Sequence, residues 1–275
     1  MPFDPEAVRE FERAGWNRAA AAYEQSFATA TRQFIEPLLD AAGIASGTKV
    51  LDLCCGPGFV GAQAQTRGAI VSGLDFSSAM LAEARARFST ITFDRGDAEA
   101  PPYPDASFDA VVSNFGIHHV PRPALALTEV RRILRPGGKF AFSVWAGHAE
   151  NIAWKLVFDA VGRHGDPLAS AAPPPGGGFG GSEDCLRALD DAGFLGTGAR
   201  LVRWTWRHPD AASLLAALRA GTARMAALID AQSDAAMPAI LAALEDATAG
   251  YHTPMTDVGH LAVPIACVIA AGIRS

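Results

Sequence analysis

The residue types best suited to bind a polar small molecule lie at or near the ends of short apolar stretches of the chain. Three are carboxylates and one is an amide: Asp52, Asp75, Asp97 and Asn114. Carboxylate and amide oxygens accept hydrogen bonds from the hydroxyl and amino groups of a ligand. If the apolar stretches are parallel strands, these side chains meet at the carboxyl ends of one sheet, where such folds bind their ligands.

A glycine-rich turn follows the first stretch, in the sequence VLDLCCGPGFVG. Gly56 and Gly58 allow a tight turn and a close approach to a ligand, and the N-terminus of the next helix favours negative groups. Together with Gly61 they spell G-x-G-x-x-G, which is weak alone because a turn without a ligand also produces it. Asp75 strengthens the pattern, because an acid at the end of the second strand meets the ribose of a nucleoside in this architecture. Its alternative role is to cap the helix that follows.

Two adjacent histidines are the candidate proton acceptors. His118 and His119 follow the fourth apolar stretch, at the mouth of the predicted site. A histidine there can act as a general base toward a hydroxyl group. The alternative is that one ring hydrogen-bonds to loop backbone while the other is solvated. We assign the candidate catalytic role to His119.

The segments that position these residues alternate between two patterns from residue 49 onward. Short stretches typical of strands alternate with stretches whose apolar residues recur at helical spacing, such as Met80, Ala84 and Phe88. Apolar strands joined through helices are typical of a parallel sheet that is covered on both faces. The sequence therefore predicts a doubly wound α/β fold, in which the regular alternation ends near residue 146.

Composition and charge exclude several classes of protein. The 275 residues are 49% hydrophobic and 19% charged, which excludes a disordered chain. The formal net charge of −6 provides no basic field for binding nucleic acid. The four cysteines form no Cys-x-x-Cys pair and there is no Cys/His cluster, so we expect no metal site.

The chain offers no recognisable targeting or membrane segment. Its N-terminus carries charges every few residues and has no apolar signal region. The longest apolar run, 261–273, is too short to span a bilayer. We therefore expect a cytoplasmic protein without a membrane partner.

Four motifs in a fixed order carry a resemblance to a known family. They are VLDLCCGPG, GLDFSSAML, GDAEAPPYPDASFDAVVSNFGIHHV and EVRRILRPGGKFAFSVW. This order resembles class I S-adenosylmethionine-dependent methyltransferases, most closely the ubiquinone/menaquinone-biosynthesis type that methylates small molecules. The match is continuous over about 49–145. It implies a Rossmann-like sheet of seven strands, mostly parallel with a reversed last strand, and S-adenosylmethionine as cofactor.

The resemblance implies roles for the residues of the glycine loop. Gly56 and Gly58 would pass beneath the methionine part of the cofactor. Asp52 would orient that loop and the cofactor's amino group. Cys55 and Pro57 complete the set of loop residues that we expect to bind the cofactor.

It also implies how the nucleoside would be held. Asp75 would bind both ribose hydroxyls, and Phe76 and Met80 would flank the adenine. Asp97 would accept a hydrogen bond from the adenine amino group, with the backbone of Ala98 beside it.

The remaining implied contacts concern the methionine side, where one residue departs from the family pattern. Asn114 would lie near the sulfonium, and Tyr23 would cover the cofactor. The family usually has glycine where this chain has Cys54. A cysteine fits there if its backbone keeps a negative φ.

Other nucleotide-dependent classes lack their catalytic residues here. A short-chain dehydrogenase needs Tyr-x-x-x-Lys, but no tyrosine stands four residues before Lys49, Lys139 or Lys155. The segment 100–103 resembles the tetrapeptide of DNA adenine methyltransferases, yet it lacks the leading Asp or Asn and precedes the fourth strand. No cysteine follows a proline, as cytosine-5 methyltransferases require.

The chain is predicted to consist of an α/β core with two helical additions. Residues 1–45 form an N-terminal helical cap, and 46–208 with 259–275 form the cofactor-binding core. Residues 209–258 form a helical insertion that we expect to be a lid over the acceptor, and the Pro/Gly-rich stretch 171–181 offers a hinge. The insertion has apolar residues at helical spacing, most of which would pack on the core, and an excess of acids that would repel a phosphate backbone.

The expected function is methyl transfer from S-adenosylmethionine to a small, largely apolar organic acceptor, by in-line displacement at the sulfonium methyl. The alternative is a protein that binds S-adenosylmethionine or S-adenosylhomocysteine without methyl transfer, as a sensor or in a different reaction. Detection of turnover distinguishes the two.

Overall fold

A seven-stranded sheet forms the centre of the computed structural model, which describes residues 3–170, 172–173, 178–254 and 261–275. The strands are β1 Lys49–Leu53, β2 Ile70–Asp75, β3 Thr92–Arg95, β4 Phe108–Asn114, β5 Leu134–Trp145, β6 Phe194–His208 and β7 Leu261–Arg274. Their order is β3-β2-β1-β4-β5-β7-β6. All neighbouring pairs from β3 to β5 are parallel, and β7 is antiparallel to both β5 and β6. The predicted mostly parallel sheet with a reversed last strand is confirmed.

The central strand β1 lies where the chain changes direction across the sheet. It pairs with β2 on one side and with β4 on the other. Val50, Leu51 and Leu53 on β1 are fully buried, because helices cover both faces of the sheet. A crevice opens at such a switch point, outside the carboxyl ends of the two flanking strands. This is where the sequence places its polar residues.

Eleven helices lie among the described residues. They are α1 Pro5–Tyr23, α2 Ala28–Thr31, α3 Ile35–Ala41, α4 Phe59–Thr66, α5 Ser78–Arg87, α6 Pro123–Ile133, α7 Ile152–His164, α8 Ser182–Asp191, α9 Ala211–Gly221, α10 Arg224–Asp230 and α11 Met237–Thr248. Short 3-10 turns occupy Arg32–Phe34, Ile117–His119 and Ala249–Tyr251. Helix α7 was not predicted, although the residues of its buried face recur at helical spacing: Ala153, Val157, Ala160 and Val161.

The first helix lies across the sheet edge that carries the polar residues. Asp4 caps α1 by accepting from the backbone N–H of Glu6 at 3.0 Å, and Pro5 occupies the first turn, where no hydrogen bond is lost. On α1, Asn17 Oδ1 accepts from the Ser77 hydroxyl at 2.8 Å and from the Ala79 N–H at 3.2 Å. These bonds fix α1 to the start of α5, so α1 covers the crevice.

The insertion contains α9, α10 and α11, and its apolar side chains belong to the main core, as was expected of most of them. Leu214, Leu218, Ile229, Ile240 and Leu244 are almost fully buried and share one cluster with the N-terminal helices and the sheet. The predicted end of the insertion, 255–258, lies outside the described residues, and so does the centre of the predicted hinge.

Among the described residues, no single helix is both long and apolar enough to cross a membrane. One pair, α9 and α10, passes the test of length and composition together, with a bend of 116° between the two helices.

Candidate functional site

A cavity with an empty volume of about 730 Å³ lies at the carboxyl ends of β1, β2 and β4, beneath α1. Ten of the thirteen predicted site residues line it: Tyr23, Gly56, Pro57, Asp75, Phe76, Met80, Asp97, Ala98, Asn114 and His119. The others, Asp52, Cys55 and Gly58, are not among its lining residues. The remaining walls are Arg9, Trp16, Leu53, Cys54, Leu74, Gly96, Phe115, Gly116, Val120 and Pro121.

Asp75 is held at the end of β2 by backbone donors. Its Oδ2 accepts from the N–H of Gly56 and its Oδ1 from the N–H of Ser77, both at 2.8 Å. Burial raises the pKa of Asp75 to about 6, against the effect of these N–H groups. Each carboxylate oxygen accepts more than one hydrogen bond, so the fixed side chain can still receive the hydroxyls of a ligand.

Asp52 supports the glycine loop from behind. Its Oδ2 accepts from the N–H of Gly61 at 2.9 Å, while its Oδ1 is buried and has no partner among the described residues. Burial raises the pKa of Asp52 to about 8; the Gly61 N–H opposes this shift and nearby Asp75 adds to it. The unmatched oxygen can pair with a bound polar group, as a donor while the carboxyl is protonated and as an acceptor once it is ionised.

The two turn glycines have different tasks. Gly56 has a φ of +51° and faces open space, since an added Cβ would meet only the Met80 sulfur, at 4.0 Å. Gly58 has a φ of +83°, but an added Cβ would approach the Phe93 ring to 2.7 Å. Gly56 therefore permits a close approach from the cavity, whereas Gly58 permits the packing of the loop on β3. The expectation that both pass beneath a ligand stays a prediction, and for Gly58 the structure shows only this packing role.

The two neighbouring cysteines lie on opposite sides of the loop. Cys55, predicted to contact the cofactor, is buried beneath the loop, with its Sγ next to Gly73 on β2. Cys54 lines the cavity and has a φ of +58°, not the negative value expected of a cysteine at this position. Gly116 accommodates it, because any Cβ at 116 would lie 2.4 Å from the Cys54 Cβ. The chain therefore keeps the glycine-type backbone at Cys54.

Asp97 already accepts a hydrogen bond from the cap helix α1. Its Oδ1 accepts from the N–H of Glu99 at 2.9 Å, and its Oδ2 accepts from the guanidinium of Arg9 at 2.7 Å. Arg9 also bonds to Glu99, whose carboxylate is paired with Arg122. The predicted contact of Asp97 with an amino group would therefore have to share an acceptor with α1.

Asn114 and Tyr23 are oriented by their neighbours. The Asn114 Oδ1 accepts from the Ser143 hydroxyl at 2.7 Å, and its Nδ2 donates to the Thr31 carbonyl at 3.1 Å. The Tyr23 hydroxyl lies 3.1 Å from the Thr31 hydroxyl. Burial raises the pKa of Tyr23 to about 12, so the phenol stays neutral at physiological pH.

His119 lines the cavity and faces a carboxylate on the cap. Its Nδ1 lies 3.1 Å from Glu12 Oε2, and Glu12 is completely buried. His118 lies beside it, with ring centroids 4.2 Å apart, and does not line the cavity. Burial lowers the pKa of His118 well below its usual value, so this ring is neutral.

Three residues that α1 contributes to the site, Arg9, Glu12 and Trp16, were not predicted from the sequence, unlike Tyr23. Arg9, Glu12, Trp16 and Tyr23 recur at intervals of three, four and seven residues, so they lie on one face of the helix. This spacing is readable in the sequence. It indicates a shared face, but not which surface of the protein that face would cover.

Known proteins share both the sequence pattern and the fold. The sequence profile of a methyltransferase domain matches residues 51–142. The chain is 36% identical over 167 residues to a malonyl-[acyl-carrier protein] O-methyltransferase from Erwinia billingiae, covering 56% of this chain and 66% of that protein. It is 34% identical over 174 residues to a demethylmenaquinone methyltransferase from Beutenbergia cavernae, covering 62% and 70%.

The structural comparison extends over most of the chain. The crystal structure of the YcgJ protein from Bacillus subtilis superposes with a TM-score of 0.58 over 88% of this chain and 98% of that one, at 16% identity, a likeness of fold alone. Among the first curated relatives, the alignments cover between 46% and 70% of the relatives' own lengths.

The doubly wound sheet, with a glycine loop and an acid at the ends of its first two strands, defines a class I methyltransferase fold. The chain belongs to the S-adenosylmethionine-dependent methyltransferase family, as its relatives also indicate.

Proposed function

We propose that this protein transfers the methyl group of S-adenosylmethionine to a small, largely apolar organic acceptor. The observation that carries the proposal is the composition of the cavity. Its sheet side has a carboxylate placed to bind a ribose, Asp75, and the open backbone of Gly56, and its cap side has the aromatic side chains of Trp16 and Tyr23.

The residues at the strand ends fit the cofactor. Asp75 would hold the ribose hydroxyls, and Phe76 and Met80 would flank the adenine. Asp97 and Ala98 would meet the adenine edge. When bound, S-adenosylmethionine supplies an electrophilic methyl group on a sulfonium.

The methionine part would lie over the open backbone of the glycine loop. Gly56 offers the space for it, and the unmatched Oδ1 of Asp52 offers a hydrogen-bond partner behind the loop. Pro57 and Asn114 line the same side of the cavity, which Tyr23 covers. These placements extend the fit to the whole cofactor.

The class of acceptor follows from the remaining walls. Trp16, Phe115, Val120 and Pro121 present apolar surface to the cavity. The only guanidinium among the lining residues, that of Arg9, is already paired with Asp97. Such walls favour a neutral apolar molecule. Two relatives are named for small or carrier-bound acceptors, malonyl-[acyl-carrier protein] and demethylmenaquinone.

The chain's own contribution would be alignment and the exclusion of water. A cavity closed by α1 holds donor and acceptor in one orientation, which can lower the barrier by several kcal/mol. We propose that α1 is the direct cover and that the insertion acts through it: Gly15 of α1 packs against Ala223, and Arg18 donates to the Thr222 carbonyl at 3.2 Å. This replaces the expectation of a lid formed by the insertion itself, because none of its described residues lines the cavity.

Calorimetric titration with S-adenosylhomocysteine, followed by turnover of methyl-labelled S-adenosylmethionine against a panel of apolar acceptors, tests the proposal. We expect saturable binding and label transfer. Binding without transfer to any acceptor would favour the alternative, a sensor or a different use of the cofactor. Absence of binding would overturn both.

A further inference from the structure

Glu12 is a buried residue that joins three parts of the molecule: the cap, the insertion and the turn after β4. This carboxylate on α1 is completely buried. Its Oε1 accepts from Arg224 Nε of the insertion at 2.6 Å, and its Oε2 accepts from Trp16 Nε1 at 3.1 Å. The same Oε2 lies 3.1 Å from Nδ1 of His119, in the turn that follows β4.

The chemistry of these partners indicates which ring nitrogen of His119 carries the proton. An ionised carboxylate can only accept, while the Arg224 guanidinium and the Trp16 indole can only donate. Burial opposes ionisation of Glu12, but His119 and Arg224 outweigh it and lower the pKa of Glu12. A lone pair on Nδ1 would lie 3.1 Å from the negative Oε2 and be repelled by it, so we infer that Nδ1 carries the proton, although the two atoms are not aligned as a hydrogen bond. In the neutral imidazole, the lone pair is then on Nε2.

The ring with this lone pair belongs to the cavity wall. His119 lines the cavity together with Trp16, which meets it edge to face at a centroid distance of 5.0 Å. His118 is neutral because of its burial and adds no charge beside it. Arg9 and Asp97, the other charged groups of this wall, are paired with each other. We therefore infer that His119 is the base of the cavity, with Nε2 as the atom that accepts a proton.

We propose that Glu12 is a positioning residue that holds His119 as general base toward an acceptor with an acidic hydroxyl, a phenol or an enol. This inference rests on the proposed methyl transfer. The acceptor O–H proton passes to His119 Nε2, an oxygen electron pair forms the bond to the methyl carbon, and the S–C bond breaks with its pair on sulfur. The imidazolium is stabilised by Glu12 until the proton leaves to solvent.

The class of acceptor follows from the strength of such a base. A phenol has a pKa near 10, a few units above that of an ordinary imidazole, about 6.5. A hydroxyl as weakly acidic as water has a pKa of about 15.7, and this pKa is too far above that of imidazole for the same base to remove the proton. A carboxylic acid is already ionised and needs no base. A buried Glu–His pair is thus useful for phenols and enols alone.

The position of the proton can be measured without turnover, by NMR of ¹⁵N-histidine-labelled protein saturated with S-adenosylhomocysteine. We expect neutral His119 to carry its proton on Nδ1. Glu12→Gln places an amide N–H among the donors Arg224, Trp16 and His119. We expect this change to disturb the preference for a proton on Nδ1. Because Glu12→Gln leaves Arg224 without its counter-ion and can impair folding, the double variant Glu12→Met/Arg224→Met removes both charges. In it we expect the proton on Nε2.

Glu10→Gln is the matched control, since Glu10 lies on the same helix and pairs only with Arg13 on the surface. It should leave the His119 signals unchanged. A wild-type protein with the proton on Nε2, or a double variant that keeps it on Nδ1, would overturn the role of Glu12.

Turnover of three probes of matched shape, 2-naphthol, 2-naphthylmethanol and 2-naphthoate, tests the acceptor class. We expect the naphthol to be methylated fastest, with kcat reduced about 100-fold in His119→Asn and in the double variant, and KM for S-adenosylmethionine little changed. Transfer to the carboxylate or the alcohol but not to the naphthol would uphold methyl transfer and overturn this class. Binding of S-adenosylhomocysteine with no turnover of any probe would also overturn the class, while the NMR result decides the role of Glu12.

Discussion

On the sheet side of the cavity, the carboxylate of Asp75 is held by backbone N–H groups, whereas on the cap side carboxylates are held by side chains from remote parts of the chain. Asp75 accepts from residues 19 and 2 positions away in sequence. Glu12 accepts from Arg224, 212 positions away, and Arg9 donates to Glu99, 90 positions away.

The two walls therefore depend on different interactions. Backbone donors are fixed by the turn that follows each strand, so the sheet wall keeps its shape when surrounding side chains change. The cap wall depends on ion pairs whose strength varies with burial and salt. Variants on the sheet side should therefore change ligand affinity most, and variants on the cap side should mainly change stability and positioning.

The largest effect is expected from Asp75→Ala on the sheet side. The variant would lose two charge-assisted hydrogen bonds to the ribose, of roughly 1.5–3 kcal/mol each, so S-adenosylhomocysteine should bind at least about 100-fold more weakly by calorimetry. Asp94→Ala is the control, because Asp94 on β3 bonds to Tyr103 and does not line the cavity. Unchanged affinity in a folded Asp75→Ala protein would contradict the assignment of the ribose site.

A pH dependence of binding should follow from the same residue. Burial raises the pKa of Asp75 to about 6, so the carboxylate that receives the ribose hydroxyls is increasingly protonated below that value. Affinity for S-adenosylhomocysteine should fall toward about tenfold per pH unit below pH 6 and level off above it. Asp75→Asn should remove this dependence. A flat profile in the wild-type protein would show that the ionised form is not required.

The stability of the free protein should show the opposite trend. Burial raises the pKa of Asp52 to about 8, so the folded carboxyl keeps its proton at pH values where the unfolded one has lost it. The native state then binds more protons, and the free energy of unfolding falls as pH rises from about 4 to about 8. Urea unfolding at several pH values should show a shallower fall in Asp52→Asn. An equal fall in both proteins would assign it to other groups.

A smaller effect is expected on the cap side from Arg9→Met. The variant loses the ion pairs of α1 with Asp97 and with the buried Glu99, and the free energy of unfolding should fall by about 1 kcal/mol. Arg13→Met is the matched control on the same helix, because its pair with Glu10 is exposed. Equal stability of the two variants in urea unfolding would show that these ion pairs do not hold the cap.

The smallest effect is expected from Cys54→Gly in the loop. The left-handed backbone of Cys54 costs about 1–2 kcal/mol for a residue with a side chain, whereas glycine loses about 0.5–1 kcal/mol more on folding. The free energy of unfolding should therefore rise by up to about 1 kcal/mol in denaturant titrations. A less stable variant would mean that contacts of the thiol outweigh the backbone strain.

Much of the sheet wall could be predicted because its determinants are local in sequence. Apolar strands, the glycine turn and the acids at the strand ends are adjacent along the chain, and a parallel sheet brings its strand ends together. Nine of the thirteen predicted residues line the cavity for this reason, and a tenth, Tyr23, lines it from the cap. Cys55 and Gly58 do not, because the residues of a tight loop face different sides, and the sequence does not reveal which side each one takes.

Local sequence patterns specify the α/β class, the strand ends near Asp75, Asp97 and Asn114, and the helical nature of the cap and the insertion. Only the tertiary structure decided that the cap places Arg9 and Glu12 over these strand ends, and that Arg224 of the insertion reaches Glu12. The physical reason is the range of the interactions. Strands and turns follow from neighbouring residues, whereas the partner of a buried charge depends on how segments far apart in the chain pack together.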